Sequence, residues 1–337
     1  MRRPTVDGIR LSFLLPALGL ILLAMGVASL AVGYASLPLA QAVSDVMAGR
    51  ASLPALVLAE LRLPRSLLGA LVGFSLGMAG AAVQGLMRNP LAEPGVIGIS
   101  SSAALGAVAT FYSGLSATIA LALPLGGIAG ALLATLVLFI LLGRGASTMT
   151  LILAGVALNS FAGAATALAL NLAPNPYAAL EIVFWLMGSL ADRSMSHVWL
   201  ALPLMLFGWA LMASTAPALD ALSLGEETAA SLGFDLGWLR ARLIGGTALA
   251  VGSAVAVTGA IGFVGLVVPH LLRPLVGHRP GRLLIASGLG GAILVLAADL
   301  GVRLLPVRPE LKLGVVTALI GAPFLFALVQ RLRREAL

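Results

Sequence analysis

The sequence predicts an all-α protein that crosses a membrane many times, and two observations support this prediction. The 337 residues are 60% hydrophobic and only 10% charged, with a mean hydropathy of +1.08, whereas soluble domains carry roughly 25% charge. Apolar runs of the length that crosses a bilayer, about 20 residues, recur along the chain. We therefore treat residues 1–337 as one transmembrane domain, whose apolar surface is buried in lipid and between helices.

Hydropathy alone predicts nine spans and leaves a tenth segment, 259–277, short and glycine-rich. The nine lie near residues 11–34, 65–87, 95–112, 115–142, 148–171, 196–214, 238–258, 282–303 and 313–330. The first run exceeds the roughly 7–15 apolar residues of a cleaved signal peptide, so we read it as a span. Arginines flank both termini, and positive charge favours the cytoplasm. Two cytoplasmic termini require an even number, which brings the count to ten.

Three polar or amphipathic segments lie between the spans. Residues 38–62 form an outer connection with a helical pattern, and residues 174–190 predict a short amphipathic helix at the outer surface. Residues 215–237 are the longest polar interruption and lie inside under this topology. There, Ser223 to Glu226 resembles a capping box that opens a short helix, and Gly233 is suited to close it. A segment with two short helices indicates a docking surface.

A break and a glycine series mark the region around the second span. Pro90 and Pro94 bracket a polar turn that begins at Arg88, because proline cannot donate to a helical ladder. Upstream, Gly69, Gly73 and Gly77 form two overlapping G-x-x-x-G steps, which let helix backbones approach closely. A dimer seam and packing within one subunit both fit these steps, and we favour the second. The sequence LMRNPL at Leu86–Leu91 is weakly repeated as LLRPL at Leu271–Leu275.

The composition argues against several classes of function. Cysteine is absent, and the three histidines form no metal-binding spacing. The arginines are scattered, unlike a nucleic-acid surface, and no loop of the P-loop ATPase type is present. The serine pair at 100–101 lacks the glycine of an intramembrane protease loop. Ion-coupled transport usually needs ionisable residues within spans. One candidate, Asp299, lies close to Arg303, where a structural pair is the favoured interpretation.

Motifs along most of the chain resemble the permease subunits of type II ABC importers for iron chelates, haem and cobalamin. Residues 84–86 and 88–94, which read QGL and RNPLAEP, resemble the signature of that family. Supporting segments keep the family's order: 62–65 (RLPR), 151–158 (LILAGVAL), 185–190 (WLMGSL), 259–273 (GAIGFVGLVVPHLLR) and 314–323 (GVVTALIGAP). One departure is Lys312, at a position where the family usually has proline.

The resemblance implies a type II ABC importer permease fold with ten transmembrane helices per subunit, in a homodimer whose pathway follows the dimer axis. It implies two cytoplasmic ATP-binding subunits that carry ATP and Mg, and an extracytoplasmic substrate-binding protein. This chain would hold no cofactor or catalytic centre. The expected function is import of a ferric siderophore, haem or cobalamin across the bacterial inner membrane by alternating access. The alternative is an ion-coupled secondary transporter.

The resemblance also assigns three sets of residues. Docking of the binding protein is expected at exposed outer arginines, for which lipid-headgroup anchoring is the alternative: Arg62, Arg65 and Arg303. The cytoplasmic gate is expected at Ser147, Thr148, Met149, Asn89 and Leu91, with ordinary helix capping as the alternative for Ser147 and Thr148. Coupling to the ATPase is expected at Leu224, Gly225, Glu226, Glu227, Ala230, Leu232 and Gly233.

Overall fold

The computed structural model describes residues 11–33, 36–143, 147–307 and 309–335, with the side chains of 331–335 left undescribed. The arginine side chains near both termini, on which the predicted topology rests, lie outside the described part. Within these ranges the chain is helical and contains no strand. The helices are α1 (Leu11–Ala31), α2 (Leu39–Met47), α3 (Leu53–Leu56), α4 (Leu63–Met87), α5 (Ile99–Tyr112), α6 (Leu115–Thr118), α7 (Ala122–Leu142), α8 (Thr148–Asn171), α9 (Pro176–Leu186), α10 (Met195–Ala213), α11 (Ala216–Leu222), α12 (Glu226–Ser231), α13 (Leu236–Thr258), α14 (Val264–Leu272), α15 (Pro280–Leu304) and α16 (Leu313–Glu335).

The helix lengths confirm the predicted fold class. In the described ranges, eight helices are long and apolar enough to cross a membrane, and they match eight predicted spans. Two shorter apolar helices, Ile99–Tyr112 and Val264–Val276, occupy the other two positions. A helix of 14 residues, such as the first of these, is about 21 Å long, against a hydrocarbon core of about 30 Å. Irregular backbone beside these helices therefore has to cover the remaining depth, which is tolerated where protein buries it.

The second long span begins earlier than the sequence predicts. The expected outer connection 38–62 contains α2, but its last part is helical and continuous with α4, so that one helix runs from Leu53 to Met87. A π turn at Val57–Arg62 directly precedes Pro64. Because proline has no N–H to donate, the wider turn allows the helix to continue through this position.

Helices α4 and α15 form the centre of the bundle and run antiparallel. Arg65 contacts Asp299 at one end, and toward the other end Gly73 lies against Gly291 and Gly77 against Ser287. A Cβ added at Gly77 would lie 2.0 Å from the Ser287 carbonyl oxygen, so only glycine permits this approach. The predicted packing of these glycines within one subunit is confirmed.

Several helices outside this pair are much less covered by the chain itself, although α13 is as buried as α4. The most apolar windows of α4 and α15 are 78% and 67% buried, whereas those of α8 and α16 are each 22% buried. Most of the surface of α8 and α16 is therefore left to lipid or to another chain. The buried core and the two ends of the α4–α15 pair position the candidate site.

Candidate functional site

Two buried carboxylate–arginine contacts close one end of the α4–α15 pair, which we call the arginine end. The Arg65 guanidinium donates from Nε and Nη2 to Asp299 Oδ1 at 3.0 and 2.7 Å and also pairs with Glu310. Arg303 donates from Nε to Asp299 Oδ2 at 2.9 Å. Asp299 is 1% exposed, and two cations compensate its buried charge. The predicted structural pair of Asp299 and Arg303 is confirmed, with Arg65 as a third member.

The expected exposure of the docking arginines is wrong, since the Arg65 side chain is only 14% exposed and the other two are buried. Arg62 and Arg303 are each only 6% exposed, because both reach the last turn of α1. Arg62 Nη1 donates to the carbonyl oxygens of Leu30 and Ala31 at 2.8 and 2.7 Å. Arg303 Nη1 donates to the Ser29 carbonyl oxygen at 2.8 Å. The last carbonyls of a helix lack intrahelical partners and attract cations, so these arginines cap α1.

The opposite end of the pair carries the polar turn after α4, and we call it the loop end. As predicted, α4 stops at Met87, and Arg88 adopts a left-handed conformation with φ of 49°. Asn89 is exposed, and its Oδ1 accepts the Leu91 N–H at 2.9 Å, which fixes the turn. The following turn Pro94–Ile97 packs against α8. The residues that follow the Asn89–Leu91 turn thus contact α8 around Gly155, in the helix that begins with Thr148 and Met149.

Two side chains, Gln84 at the end of α4 and Glu93 after the turn, connect this end of the pair to residues 263–273 through three hydrogen bonds. Gln84 Oε1 accepts from Arg273 Nη2 at 2.5 Å, and its Nε2 donates to the Gly265 carbonyl oxygen at 3.2 Å. Glu93 Oε1 accepts the Phe263 N–H at 2.7 Å. Burial raises the pKa of the Glu93 carboxyl, and the bond from Phe263 opposes this shift. The role of Glu93 was not predicted, although its position between two prolines was visible in the sequence.

The loop 215–237 is built from two short helices, α11 and α12, as expected, but not through the predicted capping box. Ser223 Oγ donates to the Asp220 carbonyl oxygen at 2.6 Å and so closes α11. Gly225, with φ of 116°, is the N-cap of α12 and has no side chain to accept a bond. Gly233, with φ of 88°, follows α12 and ends it as predicted. The box fails because Ser223 caps the helix before it instead of the one after it.

The loop is anchored to the bundle and presents apolar side chains outward. Asp220 Oδ1 accepts the Gly281 N–H at 2.7 Å, which caps the first turn of α15. Leu224 is 68% exposed and Leu232 is 59% exposed. Exposed leucines on a firmly attached polar loop are typical of an interaction surface. Asp220 is one of four acids in residues 215–237, and the sequence alone does not distinguish its anchoring role from the roles of the other three.

The first residue of α12 contacts the expected gate. Thr148 Oγ1 donates to Glu226 Oε1 at 3.0 Å, and Arg240 Nη2 donates to Glu226 Oε2 at 3.1 Å. Ser147 accepts the Thr150 N–H at 3.2 Å as the N-cap of α8, so its capping role is confirmed. Met149 is 64% exposed. Beside these contacts, an open groove of about 870 Å³ is lined by Ser147, Glu226, Ala230, Phe234, Trp238 and Arg240 among others.

No group of three or more histidine, aspartate or glutamate side chains in the described ranges is arranged to hold a metal ion. The side chain of Lys312, the position that departs from the resemblance, lies with its Nζ 5.7 Å from the centre of the Phe184 ring. This contact is a cation–π interaction with α9. The site is therefore a set of polar contacts that connect helices at the two ends of the bundle.

Apolar spans around a glycine-packed pair, with a helical polar loop at one end, are the architecture of a polytopic membrane protein. Residues 21–331 match the FecCD transport family. The chain is 42% identical over 279 residues to an uncharacterised ABC transporter permease protein, YvrB, of Bacillus subtilis, which covers 81% of this chain and 78% of that protein. It is 40% identical over 276 residues to the vitamin B12 import system permease protein BtuC of Salmonella typhimurium, covering 81% and 84% respectively.

A solved structure gives the same result for the fold. An inward-facing metal-chelate type ABC transporter superposes with a TM-score of 0.82 at 32% sequence identity, covering 95% of this chain and 99% of that one. The chain belongs to the FecCD transport family, and its fold is that of a type II ABC importer permease. The family that the sequence motifs indicated is thereby confirmed.

Proposed function

We propose that this chain is the membrane-spanning subunit of an ATP-driven importer for a large metal chelate in the bacterial inner membrane. Two copies form the pathway along their shared axis, two cytoplasmic subunits hydrolyse ATP, and an extracytoplasmic protein delivers the chelate. The pathway opens alternately to the two sides. The chain supplies the path and its gates, while ATP and Mg belong to the partner ATPases.

The observation that carries this proposal is the loop 215–237. It presents Leu224 and Leu232 to solvent, while Asp220 fixes it to α15 and Glu226 connects it to α8. A loop with these attachments suits the transfer of an external movement to the spans. An ion-coupled transporter has no need of such a surface. The permease relatives named above favour the same assignment.

The gate is proposed at the loop end, at the Asn89–Leu91 turn and the first turn of α8. Ser147, Thr148 and Met149 begin α8, a helix that the rest of the chain covers sparsely. Sparse packing leaves few contacts to be broken when a helix shifts. Movement of α8 relative to the fixed turn would therefore open or close the path at this end.

Docking of the binding protein is proposed at the arginine end, through Arg65, with Arg62 and Arg303 behind it. The Arg65 side chain is 14% exposed and that of Glu310 is 19% exposed, so this contact is the accessible part of the cluster. A carboxylate of the binding protein would pair with Arg65 in place of Glu310. Arg62 and Arg303 would then hold the surrounding helix ends in position.

The chelate is proposed to be cobalamin, haem or a ferric siderophore, and uptake of each distinguishes them. The permease, its ATPase and its binding protein are reconstituted in liposomes. ATP is supplied on the side of the membrane that the ATPase faces. Each labelled chelate is then offered with the binding protein. We expect saturable uptake of one chelate class that requires both partners. Equal uptake of all three, or uptake without the binding protein, would contradict the proposal.

A further inference from the structure

Glu226 uses both carboxylate oxygens inside the protein. Oε1 accepts from Thr148 of α8 at 3.0 Å, and Oε2 accepts from Arg240 of α13 at 3.1 Å. Thr148 is 78 residues away along the chain. One side chain thus joins the loop helix α12 to the first turns of two long helices. Bonds to a charged acceptor are among the stronger hydrogen bonds in proteins.

The neighbouring acid provides a contrast within the same helical turn. Glu227 is exposed, and its side chain makes no hydrogen bond or ion pair within the described residues. Ala230 is also exposed, whereas Ala229 is fully buried. Helix α12 therefore has an outward face, with Glu227 and Ala230, while Ala229 is buried and the Glu226 side chain is 37% exposed. The resemblance assigned the same coupling role to both glutamates, whereas in the described part of the structure Glu226 is the one whose side chain bonds to other helices.

The contact lies between the loop helix α12 and the first residue of α8. The loop is held to α15 by Asp220, whereas the best apolar window of α8 is only 22% buried. Among the described residues, the bond from Thr148 to Glu226 is the hydrogen bond that connects α12 with α8. A displacement of α12 thus pulls directly on the first residue of α8.

We propose that Glu226 is a positioning residue that links the loop helix α12 to the gate. This inference rests on the proposed function. Glu226 transmits movement of the loop to Thr148, while Arg240 holds the carboxylate in the orientation that reaches Thr148. Glu227, on the outward face, contributes to the partner surface.

A distance measurement on the full-length permease tests the link without any partner. Because the chain lacks cysteine, spin labels attach only at introduced sites, and Leu153→Cys with Ser231→Cys reports the separation of α8 and α12. We expect Glu226→Ala and Thr148→Val each to broaden the distance distribution, and Glu227→Ala to leave it unchanged. Thr148→Val keeps the shape of the side chain, so its fold is expected to survive. Unchanged distributions in Glu226→Ala and Thr148→Val would overturn the proposal.

A second measurement tests the consequence for transport. In liposomes with both partners, Glu226→Ala and Thr148→Val should raise the ATP consumed per chelate imported by roughly three- to tenfold, the scale of one hydrogen bond. The double variant should match Glu226→Ala alone, because both changes remove the same contact. Additive effects would overturn the proposal. A wild-type permease that shows no ATPase-dependent uptake would refute the proposed function instead, and the distance result would stand separately.

Discussion

The α4–α15 pair and helix α8 are made of similar apolar and small residues, yet the protein packs them in opposite ways. At Gly73 and Gly77 the backbones of α4 and α15 touch. Helix α8 also makes a close approach, at Gly155 against Val96, but a Cβ added at its Gly163 would meet nothing within 4 Å. The α4–α15 pair carries ion pairs at the arginine end, and hydrogen bonds from Arg273 to Gln84 and from Gly281 to Asp220 at the loop end. The contrast indicates a rigid scaffold beside a helix whose position depends on the loop, on lipid or on a second copy.

The largest expected effect comes from the charged contacts that close the scaffold. Arg303→Met removes one partner of the buried Asp299 and uncaps α1, which is expected to cost about 3–5 kcal/mol of unfolding free energy. Arg282→Met, an exposed position at the other end of the same helix, should change it by less than about 0.5 kcal/mol. Thermal unfolding of the purified permease in nanodiscs measures both. A loss as small in the first variant as in the second would mean that the cluster is not structural.

Overpacking the two helices tests the contrast directly. Gly77→Val places atoms against the Ser287 backbone, which cannot move aside, and should cost about 1–3 kcal/mol or more. Gly163→Val adds the same side chain to α8, where the described chain leaves open space, and should leave monomer stability nearly unchanged. The unfolding midpoints of the two variants are compared under identical conditions. Equal losses would remove the distinction between scaffold and mobile helix.

A smaller effect is expected where the scaffold meets the proposed binding protein. Glu310→Gln removes a carboxylate that pairs with Arg65, so a partner carboxylate no longer has to displace it. Affinity for the binding protein should rise roughly two- to fivefold at low salt. Glu60→Gln, an exposed acid of the π turn, makes the same charge change as a control. A fall in affinity, or an equal rise in both variants, would contradict docking at Arg65.

The smallest effect is expected at Glu93, which precedes the turn Pro94–Ile97 that packs against α8. The pKa of the Glu93 carboxyl is raised by burial, so the folded state holds its proton to a higher pH than the unfolded state does. Stability from this group is therefore full below the ordinary carboxyl pKa and declines as pH rises through the folded value. Glu93→Gln keeps an acceptor for the Phe263 N–H and removes the charge. Its stability advantage over the wild type should grow from pH 4.5 to 7.5, and parallel pH profiles would refute this.

Local signals in the sequence were sufficient for much of the fold. Hydropathy located the spans, the two prolines located the break after α4, and the glycine spacing located the close helix contact. The pairing of Asp299 with Arg303 was predictable because residues four apart share one face of a helix. In each case the deciding interaction lies within about one helical turn or follows from composition.

Contacts between distant parts of the chain could not be predicted in this way. The burial of Arg62 and Arg303 depends on where α1 ends, and the bond between Thr148 and Glu226 depends on how the loop folds back. The predicted capping box failed for a related reason, because Ser223 had two helix ends within reach and the sequence did not decide between them. The way distant segments pack against one another decides which of the locally possible contacts each residue makes.

The central claim is that ATP hydrolysis on a partner drives transport through this chain. The direct test is the initial rate of chelate uptake into liposomes that contain the permease with its wild-type ATPase or with an ATPase variant unable to hydrolyse ATP. We predict uptake with the wild-type ATPase, loss of uptake with the inactive variant, and no response to collapse of the proton gradient. Uptake that persists with the inactive ATPase and stops when the proton gradient is collapsed would contradict the account.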